Sequence, residues 1–445
     1  KALYTMNPAS DLETHNVAIG YNAGLLVTTG QYNTLIGGFA GDAQTTADHN
    51  VALGVSTLTT NTKANKNVAI GSNALNTFNV TSDTDTYNTA VGYSAGGTIT
   101  TGTENTLIGG LAGDALTVAF YNTAVGYNAL TQDLKGVGNT AIGHGTLATQ
   151  QFGGSTNSNN TAVGLAAGTG ITTGIKNTLI GALVGDALAD ADENVAVGWG
   201  ALSTDTLGSG SVAIGKDALV SQNFTSATVT YNVAVGLGAG LAVTTGIRNT
   251  LIGAAAGDAI QDADENEAIG YAALSTNVLG SGSVAVGSFA LNLQNPASAV
   301  TMYNTAVGNG AGAAITTGIE NTFVGGLAGD GTDDGAENTA VGSSALSGNC
   351  GNANTAVGRM ALRIATGTSN TALGHQAAIG LTSGINNTFV GKSAGDTTTT
   401  GGTNTSLGYR AMGGTGAKTG NTNVAIGSDT LYVMTSGANN TAVGY

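Results

Sequence analysis

Few residues in this chain have side chains suited to chemistry, and their spacing limits what they can do. The four histidines, His15, His49, His144 and His375, are scattered through the sequence and form no catalytic triad, so they read as surface or turn residues. Cys350 is the only cysteine, which excludes an intrachain disulfide and a Cys-based zinc site. "GSGS" at 208–211 and 280–283 looks like a phosphate loop but lacks the following Lys and helix. The acidic residues are more regular. "DADE" recurs at 190–193 and 262–265, "DDGAE" stands at 333–337, and single aspartates fall at Asp42, Asp114, Asp186, Asp258, Asp330 and Asp396. Hard oxygen donors at recurrent spacing suit Ca²⁺, which makes Asp190, Asp192, Glu193, Asp262, Asp264 and Glu265 the candidate ligands. Against this, Asp often completes a turn through its own backbone, and acidic runs serve as solvated edges that discourage misassembly. The spacing is not that of a Gly-rich calcium roll. No other cofactor and no enzymatic activity are expected.

Composition narrows the partners. The net charge is −15, from 27 acidic and 12 basic residues, with no basic cluster. Nucleic-acid binding and adhesion to anionic membranes are therefore not expected. No run is apolar enough to insert in a membrane, and "KALYTMNPAS" has no signal-peptide form. Glycine is 72 of 445 residues and apolar residues are 41%, mostly small or β-branched, which favours thin, closely packed layers over a bulky centre.

The regularity of the acidic residues belongs to a larger one. A five-residue unit, Asn (Ser in two, Ser211 and Ser283), a β-branched or polar residue, usually Ala, an aliphatic residue and Gly, occurs 25 times from Asn16 to Asn440. Spacings of 17, 17, 17 and 21 residues repeat, giving 72-residue blocks of four units. The blocks run 16–87, 88–159, 160–231, 232–303, 304–369 and 370–439, with a partial coil at 440–445 and an extension at 1–15. Units this short, closed by Gly and Asn, predict strands rather than helices. Stacked, they predict an all-β parallel β-solenoid, or β-roll, of about 25 coils.

Each column of the repeat then has an expected role. Gly permits positive φ and close approach of neighbouring coils. Asn tolerates the left-handed region and can bond the Asn of the next coil in a ladder. Asn122, Gly126, Asn139, Gly143, Asn160 and Gly164 are thus expected corners. The fourth position is always Val, Ile or Leu, which predicts that it fills the interior. The third position points the opposite way. It is mostly Ala, as at Ala124 and Ala141, or bulkier in the second unit of each block, as at Leu107, Leu179 and Leu251. Its expected cover is a neighbouring copy of the chain, most simply in a homotrimer, with a second internal layer of a single-chain roll as the alternative.

At these spacings "NVAIG", "SVAIG" and "NTAIG" resemble the head repeats of trimeric autotransporter adhesins. The longer "NTAVGYNAL…NTAIG" is closer in wording to repeat regions of phage and virus tail fibres. The resemblance spans residues 16–445. It implies a left-handed β-roll in a three-chain bundle on a cell or virion surface. The units are longer than those of the adhesin heads, and no coiled-coil stalk is evident. The expected function is structural and adhesive, attaching to a cell-surface receptor or glycan by many weak contacts, with the long loops at 76–87, 148–159, 220–231 and 292–303 facing the receptor. A self-assembling extracellular filament or sheath subunit is the alternative. An ice-binding solenoid is the minor one, suggested by the Thr column at the second position.

Overall fold

Three residues of Thr-Ala-Val type between Asn and Gly suffice for one short strand per unit. In the computed structural model, which describes residues 1–7 and 13–445, every one of the 25 units forms that strand, and the chain is an all-β parallel solenoid. No helix occurs among the described residues. The chain divides into two compact units, Lys1–Val229 and Thr230–Tyr445. In the first, twelve strands run from Val17–Ile19 to Val212–Ile214, and in the second, thirteen run from Val233–Val235 to Thr441–Val443. Successive strands pair in parallel with matching columns: Thr123, Ala124 and Val125 face Thr140, Ala141 and Ile142. The Gly that ends each strand has positive φ, +136° at both Gly126 and Gly143.

The Asn column is arranged differently from the expectation. The left-handed residue is the one before Asn, such as Tyr121 with φ 60°. The Asn itself is buried and spends its carboxamide on the ladder. Asn122 Oδ1 accepts the backbone N–H of Asn139, and Asn122 Nδ2 donates to the Gly136 carbonyl. The same pattern recurs along both units, for example from Asn105 to Asn122 and from Asn370 to Asn387.

The two faces of the strand are reversed. Ala124, Ala141, Leu107, Leu179 and Leu251, expected to meet a neighbouring chain, are 0% exposed within the single chain and form its core. The aliphatic fourth position lies outside instead, with Ile19, Leu53, Ile108, Ile142, Ile180 and Ile214 all between 37% and 60% exposed. The reason is the thinness of the coil. Its opposite walls stand so close that an Ala, or a Leu placed over a Gly, fills the gap, whereas a β-branched side chain on every turn would overpack it.

This thin core also explains the four-coil block. The ninth residue of each unit points inward too. In the second block it is Gly in the first two units, Gly96 and Gly113, and Leu in the last two, Leu130 and Leu147; only the last block departs, with Ala378 and Met412. Leu107 lies over both glycines: a β-carbon added at Gly96 or Gly113 would stand 2.8 Å from a Leu107 methyl. Where the third position falls back to Ala, as at Ala124 and Ala141, Leu130 and Leu147 supply the missing volume and are fully buried. Moving the bulk from one wall to the other along the block fills the interior without overpacking or cavities.

Polar residues inside the coil brace the long fourth unit. Asp133 is fully buried, accepts the Gly136 N–H, and takes a hydrogen bond from Gln150 Nε2; Gln150 Oε1 in turn accepts Asn160 Nδ2. In the first unit, two-residue strands close these loops: Ala64–Asn65 with Thr84–Asp85, Gly136–Val137 with Thr156–Asn157, and Gly208–Ser209 with Thr228–Val229. In the second, Gly280–Ser281 pairs with Val300–Thr301. The start of the chain joins the same architecture. Leu3, Thr5 and Asn7 donate to Ala23, Leu25 and Thr28, as Leu75, Thr77 and Asn79 do to Ala95, Gly97 and Thr100. Residues 1–7 therefore complete solenoid wall, and the rest of the expected extension, 8–12, lies outside the described residues.

Candidate functional site

The reversal of the strand faces moves the candidate interaction surface from the third position to the second and fourth. Most turns present a half-buried Thr or Val and an aliphatic residue side by side, for example Thr106 with Ile108 and Thr140 with Ile142. With about 4.8 Å per turn and about 10 Å of strand width, the strip in the first unit covers about 600 Å². Only part of that area is apolar, because Thr fills much of the second column, and an apolar patch of about 300–600 Å² is often functional.

Two edges flank the strip. On one stand the left-handed residues preceding Asn. His15, Tyr32 and His49, from three successive turns, stack with centroids 5.3 and 4.8 Å apart. Two of the histidines thus share a column and are grouped, against the reading of them as scattered, because both directly precede the Asn of a unit. Further along this edge of the first unit Lys176 pairs with Glu193, and at the equivalent position in the second unit Arg248 pairs with Glu265, each at 2.8 Å. The other edge, just after Gly, carries Tyr21, Tyr93, Tyr127, Trp199 and Tyr271, all more than half exposed. His144 tilts against Tyr127, and His375 lies near Arg359.

The calcium candidates do not converge. Asp190 accepts the Thr173 hydroxyl, Asp192 the backbone N–H of Ile175, and Glu193 the Lys176 ammonium. The second cluster repeats this: Asp262 takes the hydroxyls of Thr244 and Thr245, Asp264 the Ile247 N–H, and Glu265 the Arg248 guanidinium. Each carboxylate bonds to the preceding turn, so the "DADE" spacing is the spacing of inter-coil bonds. No three His, Cys, Asp or Glu residues come together among the described residues in a way that could hold a metal ion. Cys350 is buried beside the Thr332 hydroxyl, and burial pushes its thiol pKa up.

The phase-locked aspartates are titratable elements of the fold. Burial pushes Asp42, Asp186, Asp258, Asp330 and Asp396 above their ordinary value of 3.8, and in each one carboxylate oxygen is buried without a hydrogen-bond partner. In Asp114 the equivalent oxygen accepts the Thr131 hydroxyl. Burial raises Asp133 as well, against the opposing effect of its hydrogen bonds. A carboxyl with a raised pKa in the folded state contributes stability that is fully present below 3.8 and is lost as pH rises through the folded value. Lysine and threonine partners act in the opposite sense on Asp85, Glu193 and Asp262, but these are exposed or nearly so and screened by solvent. Resistance to urea is therefore expected to increase as pH falls from 7 towards about 4, the reverse of ordinary acid denaturation. Asp186→Asn and Asp258→Asn together should flatten that rise; an unchanged slope in urea titrations across this range would refute the assignment.

No helix is long and apolar enough to cross a membrane among the described residues. Set against known protein families the chain matches none, and no curated protein matches it either.

Proposed function

We propose that the chain is a structural and adhesive fibre segment that assembles as a homotrimer and attaches to surfaces multivalently, in the manner of the phage tail fibres and trimeric adhesin heads its repeats resemble. The observation that supports this most is the outward apolar strip, present on turn after turn with no cover inside the chain. Three such strips around a common axis would bury one another and leave the long fourth-unit loops outward, where Ser82 to Asp85 and Gly153 to Ser155 are already exposed. Rigid turns would then display each loop at fixed intervals, and three chains would multiply each weak contact.

Light scattering should find a trimer at micromolar concentration. Ile108→Lys with Ile142→Lys should give a monomer with an unchanged far-UV spectrum, because both side chains point outward. Adsorption of the labelled protein to bacterial cells should fall with dissociation, as avidity is lost. A wild-type monomer would sink the assembly reading, and polymers growing with concentration would favour the filament. One observation supports the ice-binding alternative: the Thr column lies on the outward face, though Val, as at Val51 and Val195, and Glu267 interrupt it at nine of the 25 turns. Thermal hysteresis measurements decide it.

A further inference from the structure

The repeats make departures from repetition informative. In a duplicated array, the residues required by the fold recur from block to block, and a place where one block alone turns polar around a hollow requires another explanation. One such place lies in the first unit, beside the strip, where an open surface hollow of about 430 Å³ lies between the turns that start at Asn67, Asn88 and Asn105. Tyr93, Leu111, Asn73, Asn76, Ser94 and Asp114 line it. Its volume is at the lower end of the range for small-molecule pockets, enough for one or two sugar-sized rings.

The lining has unused bonding capacity. Neither the Asn73 carboxamide, the Ser94 hydroxyl nor the Tyr93 hydroxyl bonds to any described residue, while Asn76 donates its amide to the Ser56 carbonyl and Thr131 holds Asp114 in place. Tyr93 is 61% exposed, and its neighbours along the column are Ser72 and Gly110, too small to cover the ring. Gly97, a further lining residue, leaves the mouth open. The following block closes the same place: Gly145, Ala148, Leu165, Ala166 and Thr169 stand where Asn73, Asn76, Tyr93, Ser94 and Gly97 do, and the Thr169 hydroxyl is bonded to the Gly145 carbonyl. In the preceding block Leu25 replaces Gly97, and Phe39 packs edge-on against Tyr21, the counterpart of Tyr93.

From this convergence we infer that the Tyr93–Asp114 hollow is a saccharide-binding subsite. A sugar ring has an apolar C–H face that suits an open aromatic ring, and a rim of hydroxyls that both donate and accept. Tyr93 supplies the platform. Asn73 and Ser94 supply donors and acceptors, and the Asp114 carboxylate accepts from a pair of vicinal hydroxyls. The site deepens the attachment reading by naming the ligand class of one contact, and it does not depend on the trimer interface.

The test uses the full chain and saturation-transfer difference NMR with methyl glycosides of glucose, galactose, mannose and N-acetylglucosamine, each also presented as an oligosaccharide. At least one is expected to receive saturation. Tyr93→Leu and Gly97→Thr install residues that the next block already carries at these places, so the fold should tolerate both, and each should weaken that binding at least tenfold. Binding of the oligosaccharide alone would identify a polymer as the source; binding of the monosaccharide as well would show that one ring suffices. If no glycoside receives saturation, or if both variants bind as the wild type does, the subsite is refuted. Cell adsorption that persists in Tyr93→Leu alongside lost sugar binding would leave attachment standing through other contacts, whereas sugar binding without cell adsorption would overturn attachment and spare the subsite.

Discussion

Replacing Gly126 with Ala should destabilise the first unit by about 3–6 kcal/mol, whereas the same change at Gly145 should cost about 1 kcal/mol. Both glycines have positive φ, +136° and +65°, so both substitutions strain the backbone. They differ in what the new methyl meets. At Gly126 it would lie 2.3 Å from the carbonyl oxygen and 2.6 Å from the carbonyl carbon of Gly143 on the next turn. Those are backbone atoms in a strand ladder and cannot rotate aside, so the turns must part and their hydrogen bonds must stretch. At Gly145 nothing lies within 4 Å. The two sites also differ in strain, because +136° is reached essentially by Gly alone whereas +65° lies in the left-handed region that Tyr121 and Leu130 occupy, so strain and close approach act together at Gly126. A solenoid can also unfold in segments, so a single urea midpoint is an incomplete measure. Hydrogen exchange at the amides of Thr140 to Ile142 reads the local effect and should accelerate strongly in Gly126→Ala alone. Equal behaviour of the two variants would refute close approach as the reason for the Gly column.

Removing the Asn122 carboxamide should be nearly as damaging. Asn122→Ala leaves the Asn139 N–H and the Gly136 carbonyl buried without their partners at 2.9 Å, and Asn139 Nδ2 loses an acceptor at 3.1 Å. Each orphaned buried group costs about 1–3 kcal/mol, so a loss of about 3–5 kcal/mol is expected. Asn122→Asp discriminates further. It keeps the acceptor for Asn139 but turns a carboxylate towards the Gly136 carbonyl and Asn105 Oδ1, which Asn122 Nδ2 now bonds at 2.9 and 3.2 Å. The Asp variant should be worse than Ala at pH 7 and recover on acidification, because burial beside two acceptors raises its pKa and the stability it regains lies below that raised value. Urea titrations of both variants at pH 4 and 7 make the comparison, and parallel pH curves would refute the ladder account. The chain contains its own partial control. Where Ser211 and Ser283 replace Asn, Gln222 and Gln294 reach across the coil to bond the serine hydroxyl, whereas the equivalent Gln150, beside an intact Asn139, bonds Asp133 and Asn160 instead.

The long fourth-unit loops show how local signals and tertiary constraint combine. Their length and recurrence are plain in the spacing of 21 residues. How they are held is not. Thr86 and Ser158 cap Asn67 and Asn139 through their hydroxyls, and Asp133 with Gln150 fills the interior behind them. In the sequence these are ordinary turn residues; only stacking brings residues 17 to 21 positions apart into one buried network.

The sequence by itself determined the architecture. A Gly in every unit, an Asn or Ser opening each one and a spacing too short for helical repeats leave little besides stacked parallel strands, because each column must satisfy the same backbone geometry on every turn. It left open which face of the strand turns inward. Thr-Ala-Val is apolar on both sides, and a shift of one residue exchanges the faces without changing the pattern. The choice was made by volume, a property of two opposing walls: Leu107 fits because Gly96 and Gly113 make room, and the β-branched residues are left outside. The hollow beside Tyr93 was decided at the same level. Asn73, Tyr93 and Asp114 belong to three different turns, and their shared space exists only once those turns are stacked.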